Sequence, residues 1–320
     1  MCLFFCFCDF WFVSLCCKTN KRMNNQKLNR ANKAKNDEFY TKLTDIEKEL
    51  MHYKEMFVGK TIYCNCDDPV KSNFVQWFYM RFDILHLKRI IVTAYNSDTC
   101  NGGGYYWDSD FATVDPKSLD ISREVEKDVR KLNGDGDFRS DECIELLKQA
   151  DIVVTNPPFS LFREFVQLMM DNNKHFVVLG NLNAITYNDI FKHIKDNKIR
   201  LGYVNGHKWF MTQEGKEVRL GNTAWYTTLP IIKYNEEILL FRKYSPELYP
   251  KYDNYDAINV DKTYDIPCDY DGVMGVPISF LNKYNPTQFE IIQFKKGNDN
   301  KDLSYNGKTP YFRILIKKKK

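Results

Sequence analysis

Apolar runs separated by polar punctuation divide much of the chain into alternating short strands and helices. Ile46, Leu50, Tyr53 and Phe57 recur at helical spacing, with Thr44 and Glu47 spaced as a capping box and Gly59 as the stop. Residues 61–66, Thr-Ile-Tyr-Cys-Asn-Cys, predict a first strand. A turn, Asp67-Asp68-Pro69, then leads to a helix with Phe74, Trp77, Phe78, Arg81, Phe82 and Leu85 on one wide buried face. Residues 88–95 predict a second strand, 151–155 a third and 174–180 a fourth. Ile190, Phe191 and Ile194 mark a short helix, and 199–204 and 223–229 predict further strands. Strand and helix in alternation over about 60–205 indicate an α/β fold built on an open, doubly wound sheet. Such sheets bind ligands outside the carboxyl ends of their strands.

Residues 96–134 interrupt that rhythm and read as an insertion or hairpin at the rim of the sheet. Asn101-Gly-Gly-Gly lacks the Lys-Ser/Thr of a phosphate loop. Asn133-Gly-Asp135-Gly-Asp137 imitates the start of a calcium loop, but Phe138 stands at the sixth position and Ile144 at the twelfth. Gly136-Asp137-Phe138 reads either as a plain turn or as a contact to an adenine ring, with the Asp accepting from N6 and the Phe covering a face. The Asp67–Phe74 turn has no G-x-G-x-x-G. Its Ser72 and Asn73 and the N–H groups of the helix start could hold an amino-acid-like carboxylate, and the same residues suit a purely structural turn equally well.

The most informative stretch is Asp151-Ile-Val-Val-Thr-Asn156-Pro157-Pro158-Phe159. Four strand-forming residues run into two prolines, which fix φ, remove N–H groups and keep the preceding residue out of the α region. Ser160 is placed to cap a helix from Leu161 to about Met170. The corner fits methyl transfer to an exocyclic amino group, a poor nucleophile because its lone pair is delocalised. The Asn156 side-chain oxygen and the Pro157 carbonyl can accept both hydrogens and draw the nitrogen toward sp³ geometry, while Phe159 stacks on the base. No metal, general-base histidine or covalent nucleophile is needed. A structural Pro-Pro turn is the plain alternative. Trp225 and Tyr226 could line a target pocket or fill the core.

Composition adds little except at the ends. Apolar residues make up 43% and aromatic residues 15%, enough for a packed core, and the net charge is only +4. Residues 1–17 are nearly all apolar but lack the basic start and cleavage site of a signal peptide, and the run is short for a membrane span. They read as a misassigned upstream start with Met23 the initiator, a membrane anchor being the second reading. Lys27, Arg30, Lys33 and Lys35 make 23–35 a basic arm suited to a polyanion. Cysteines outside the first 17 residues form no C-x-x-C pair, which indicates reduced thiols in the cytoplasm rather than disulfides or zinc. Residues 291–320 carry nine Lys/Arg against two acids, interleaved with Tyr and Asn, as a DNA backbone would require.

Asn36-Asp-Glu-Phe-Tyr-Thr41, Asp67-Asp-Pro-x-x-Ser-Asn-Phe74, Gly136-Asp-Phe138, Thr155-Asn-Pro-Pro-Phe159 and Gly180-Asn-x-Asn-Ala184 together resemble the EcoRI-type adenine-specific DNA methyltransferases. Asp269-Tyr-Asp-Gly-Val-Met-Gly-Val-Pro-Ile-Ser-Phe-Leu281 and Lys283-Tyr-Asn-Pro286 extend the likeness, which covers about 36–318. The resemblance implies a Rossmann-like class I sheet, S-adenosylmethionine as methyl donor and duplex DNA as substrate, with methylation at adenine N6. A cognate restriction endonuclease would be a functional partner. By the same resemblance Tyr40, Thr41, Asp67, Asp68, Ser72, Asn73, Asp137 and Phe138 line the cofactor site, and Asn156, Pro157, Pro158 and Phe159 hold a flipped adenine. The expected organisation is a non-core segment at 1–35, a catalytic domain at 36–230 and a DNA-recognition extension at 231–320.

Three rival classes remain. An RNA adenine or protein-glutamine methyltransferase uses the same corner; the basic, tyrosine-rich C-terminal part argues against it. A cytosine C5 enzyme needs an activated Pro-Cys nucleophile, and Pro267-Cys268 lies in an acidic stretch with nothing to activate the thiol. The third is an inactive DNA-binding relative, which intact Asn156 and Asp137 argue against.

Overall fold

The computed structural model describes residues 39–96, 103–212, 216–295, 303–310 and 312–319. The apolar run at 1–17, the basic arm at 23–35 and the Asn101-Gly102 start of the glycine loop lie outside the described residues. In chain order the strands are β1 (Phe39–Thr41), β2 (Thr61–Cys64), β3 (Arg89–Ala94), β4 (Tyr105–Asp108), β5 (Arg130–Lys131), β6 (Ile152–Thr155) and β7 (His175–Asn181). There follow β8 (Arg200–Leu201), β9 (Gly206–Thr212), β10 (Glu217–Thr227), β11 (Ile258–Asn259), β12 (Met274–Pro277), β13 (Phe289–Lys295) and β14 (Arg313–Lys318). The helices are α1 (Leu43–Leu50), α2 (Lys54–Phe57), α3 (Asn73–Met80), α4 (Ile121–Lys127), α5 (Asp141–Gln149), α6 (Phe162–Asp171) and α7 (Asn188–Lys195).

Among the described residues one large sheet has the order β1-β9-β10-β7-β6-β2-β3-β4-β5, with β8 paired to β10. Its centre, β3-β2-β6-β7, is parallel. β2 and β6 are buried at every position, so both read in the sequence as unbroken apolar runs. From β2 the chain passes to β3 on one side and later returns to β6 on the other. That reversal opens a crevice at the carboxyl ends of β2 and β6, where doubly wound sheets bind ligands. The insertion does form the rim, as β4 and β5 add antiparallel at that edge. On the opposite side β10, β9 and β1 are antiparallel additions.

Several local readings need correction. Thr44 does not cap α1: Lys42 stands at the N-cap with no side-chain bond, and Glu47 instead accepts from Trp77 Nε1 and, with both carboxylate oxygens, from Arg81 Nη2. The helix is also broken by a 3₁₀ turn at Met51–Tyr53 before Gly59, at φ +69°, stops it. The strand at 199–204 shrinks to β8 because, after Gly202 N donates to Trp225 O, the following two amides leave the sheet. Tyr203 N and Val204 N donate to the fully buried Glu49 carboxylate at 2.8 and 2.6 Å. The strand at 223–229 is the end of a longer β10, whose partner β9 the hydrophobic pattern missed.

A smaller sheet, β11-β12-β14-β13, forms the C-terminal part. Its last two strands, β13 and β14, pair antiparallel. Side chains tie it to the large sheet: Phe191 on α7 packs on Phe294 at 5.2 Å, and Tyr234 Oη accepts from Leu201 N and donates to Leu281 O. One hydrophobic cluster runs through both sheets, from Ile62 and Val153 to Val276 and Ile314. Among the described residues no helix is long and apolar enough to cross a membrane.

Candidate active site

The Asn-Pro-Pro corner begins where β6 stops at Thr155. Pro157 is buried, and Asn156, Pro158 and Phe159 are partly exposed. The chain then makes a 3₁₀ turn over Phe159–Leu161, closed by Leu161 N to Pro158 O, before α6 starts at Phe162. Ser160 is therefore not the cap: it lies inside the turn, and Leu161 occupies the N-cap without a side-chain bond. The turn is clamped from below. A Cβ on Gly180 would lie 2.4 Å from the Phe162 ring, so only glycine lets α6 approach β7 this closely. Phe162 also packs on Tyr226 at 5.0 Å, and Tyr226 Oη donates to the carbonyls of Asn181 and Leu182. Trp225 and Tyr226 are thus fully buried core residues supporting the corner.

Beside it, β2 ends and delivers Asp67. One carboxylate oxygen accepts from Ser72 Oγ at 2.7 Å and the other from Thr155 Oγ1 at 2.5 Å. Ser72 in turn caps α3, accepting from Phe74 N. One buried carboxylate therefore fastens the turn after β2 to the last residue of β6. Asp68 is spent locally, accepting from Val70 N and Lys71 N. Thr155 and Asn65 take on roles that the sequence did not single out.

Burial pushes the Asp67 carboxyl up to about 6, with the two hydroxyl donors opposing it and Asp68 adding a little. A folded-state value raised above the unfolded one means that the group's stabilising contribution is full below about pH 4. It is lost as pH rises through about 6. Asp67→Asn keeps one acceptor and one donor for the two hydroxyls and removes the titration. Without cofactor, this variant should be more stable than the parent at pH 8 by on the order of 3 kcal/mol, converging with it near pH 4. Melting temperatures at the two pH values check this; an unchanged gap between the proteins would refute it.

The Gly-Asp-Phe turn, between β5 and α5, packs against the next strand end, that of β3. Gly136 adopts φ +79°, and a Cβ there would sit 2.3 Å from Ala94 O at the end of β3. Asn96 N bonds Asp135 O, and Asp67 N bonds Thr93 O, which brings the turns after β2 and β3 side by side. Asp137 is held by Arg139 through Nε at 2.9 Å and Nη2 at 2.7 Å, and Arg139 also pairs with Glu164 on α6. Burial raises the Asp137 carboxyl, but the arginine outweighs it and holds the group below its ordinary value. Phe138 is buried, with its ring edge-on to Phe165 at 5.3 Å.

The residues around this crevice suit a polar, amino-acid-bearing cofactor. Asn73 Nδ2 donates to Thr41 O at 2.8 Å, joining β1 to the start of α3. Thr41 Oγ1 and Asn65 Oδ1 are buried and make no hydrogen bond among the described residues, a costly state unless a ligand engages them. Tyr40 pairs with Met211 in the β1–β9 register, next to the same edge. So Thr41 and Asn73 meet directly, Asp67 and Ser72 meet directly, and Asp137 comes in on the neighbouring strand end.

Comparison with known proteins gives a consistent result. The family described as adenine-specific methyltransferase EcoRI matches residues 27–319. Type II methyltransferase M.EcoRI of Escherichia coli is 48% identical over 94% of this chain and 98% of its own length. Type II methyltransferase M.MgeORF184P of Mycoplasma genitalium is 40% identical over 91% and 98%. Type II methyltransferase M.MpnI of Mycoplasma pneumoniae is 36% identical over 91% and 98%.

Proposed function

The chain belongs to the EcoRI family of adenine-specific methyltransferases, and on that premise we propose that it moves a methyl group from S-adenosylmethionine to N6 of a flipped adenine in a specific duplex sequence. The observation carrying this reading is the Thr155–Asp67–Ser72 linkage, which couples the Asn156–Phe159 corner to the polar turn after β2. Donor and acceptor pockets then share one rigid frame. S-adenosylmethionine, when bound, supplies an electrophilic methyl on sulfur. Thr41, Asn65, Asp67, Ser72 and Asn73 hold its amino-acid end. Asp137, with Phe138 behind it, meets the adenine edge, and Tyr40 and Asp68 shape the rim. Asn156 Oδ1 and Pro157 O accept the two hydrogens of the target amino group, which directs its lone pair toward the methyl. Phe159 stacks on the target base.

Residues 231–320 serve as the DNA-recognition extension in this reading, supported by the basic residues of the last thirty positions. The activity belongs in the cytoplasm, beside a cognate restriction endonuclease whose site it protects. Expression in a host lacking adenine methylation, followed by single-molecule sequencing, should reveal N6-methyladenine confined to one short motif. DNA left unmodified by a folded, cofactor-binding protein would contradict the proposal.

A further inference from the structure

The β9–β10 ribbon reaches past the end of the sheet. The last pairing between β10 and β7 is Thr223 with Asn181, the final residue of β7. Of the six residues of β10 before it, Glu217–Leu220 pair with β9 and Gly221 and Asn222 lie in a bulge, so β10 runs past β7 by roughly 20 Å, with β1 on the far edge of β9. The overhang lies at the carboxyl end of β7, the same end of the sheet as the corner at 156–159. Its two faces differ sharply. One is packed: Phe210 is fully buried, and Lys208 is 3% exposed with Nζ donating to Val204 O. The other face presents Trp209, 47% exposed, directly across the strands from exposed Arg219. Neither side chain makes a hydrogen bond, ion pair or ring contact among the described residues. By contrast, Trp77, Trp107 and Trp225 are fully buried.

We propose that this ribbon is an arm that grips duplex DNA beside the target base, with Trp209 packing on bases or sugars and Arg219 on a phosphate. The inference rests on the DNA-methylation reading above and adds to it a contact surface outside the C-terminal part. Charge supports the choice of partner. Glu217, the acid described on this overhang, is neutralised by Lys42 at 2.5 Å, which leaves exposed Arg219 as its positive charge. An aromatic paired across the strands with a cation suits bases next to phosphates.

The test uses the full chain, a duplex carrying its methylation motif, and fluorescence anisotropy over a range of salt. Trp209→Ala should weaken DNA binding about 10- to 100-fold, and Trp209→Phe should restore most of it. Arg219→Ala should weaken binding and lower the slope of log affinity against log salt by about one. Cofactor affinity, measured by calorimetry, should be unchanged in all three. Wild-type DNA affinity and salt slope in both alanine variants would overturn the proposal. So would a loss in Trp209→Ala traced by sedimentation to a broken dimer, because the face would then hold a second copy. The outcomes separate from those of the corner: an Asn156 variant that loses methylation alongside unaffected ribbon variants removes the arm alone, whereas one that still methylates removes the corner reading alone.

Discussion

Asn156→Ala should bind S-adenosylmethionine with near-parental affinity and turn over roughly a hundred- to a thousand-fold more slowly, the cost of deleting one preorganised partner of the reacting group. Asn156 follows the end of β6, whereas the residues assigned to the methyl donor lie on β1, after β2 and in the turn between β5 and α5, so the two functions can be cut apart. Asp137→Ala should do the reverse, weakening cofactor binding by about tenfold or more with a smaller effect on the saturated rate. Part of that loss arises indirectly. Arg139 is held by Asp137 and Glu164 together, and freeing one side lets the guanidinium move over Phe138, which lies 5.3 Å from it. Calorimetry for binding and single-turnover methylation for chemistry measure the two separately. Equal loss of cofactor affinity in both variants would defeat the assignment.

The parallel centre of the sheet was legible because buried strands are short β-branched runs cut off by residues that cannot continue them. Thr61–Cys64 ends in a turn and Ile152–Thr155 ends at the prolines. Gly136 was legible for a related reason: close backbone approach at positive φ excludes other residues. What the chain hid are features that need two distant segments. Glu49 shapes the backbone at Tyr203 and Val204, and no local pattern announces a tie across so many residues. The β9–β10 ribbon escaped detection because buried Lys208 breaks the apolar alternation, its ammonium being satisfied by a carbonyl instead of water. Two-residue strands such as β8 and β11 are too short to carry any period. Within the site, Asn156 and Asp67 stood out as polar residues at strand ends. Thr155 and Asn65 acquire meaning only once β2 and β6 are neighbours, so strand order supplies what the sequence does not.

Phe159→Ala should lose most of its methylation rate on paired DNA while keeping much more on a target adenine opposite a mismatch. An adenine within a duplex cannot bring N6 in line with a methyl group held in the crevice, so the base must leave the stack. Unstacking and unpairing cost on the order of a few kcal/mol, least for a base already mispaired. Stacking on an aromatic ring returns roughly 1–3 kcal/mol, so removing the ring should slow the paired substrate about 5- to 150-fold. Phe159 is partly exposed in the turn that follows the prolines, and the Phe162–Gly180 contact fixes that turn against β7. Phe159→Tyr keeps the ring face and should remain active. Phe159 is only partly buried, so the fold should tolerate the added hydroxyl. Initial rates on both substrates, with 2-aminopurine at the target position to report flipping, distinguish a stacking role from a packing one. A stacking residue makes the alanine defect depend on base pairing and suppresses the flipping signal. A residue that only packs would slow both substrates equally, and an alanine variant that flips and methylates paired DNA like the parent would remove Phe159 from the site.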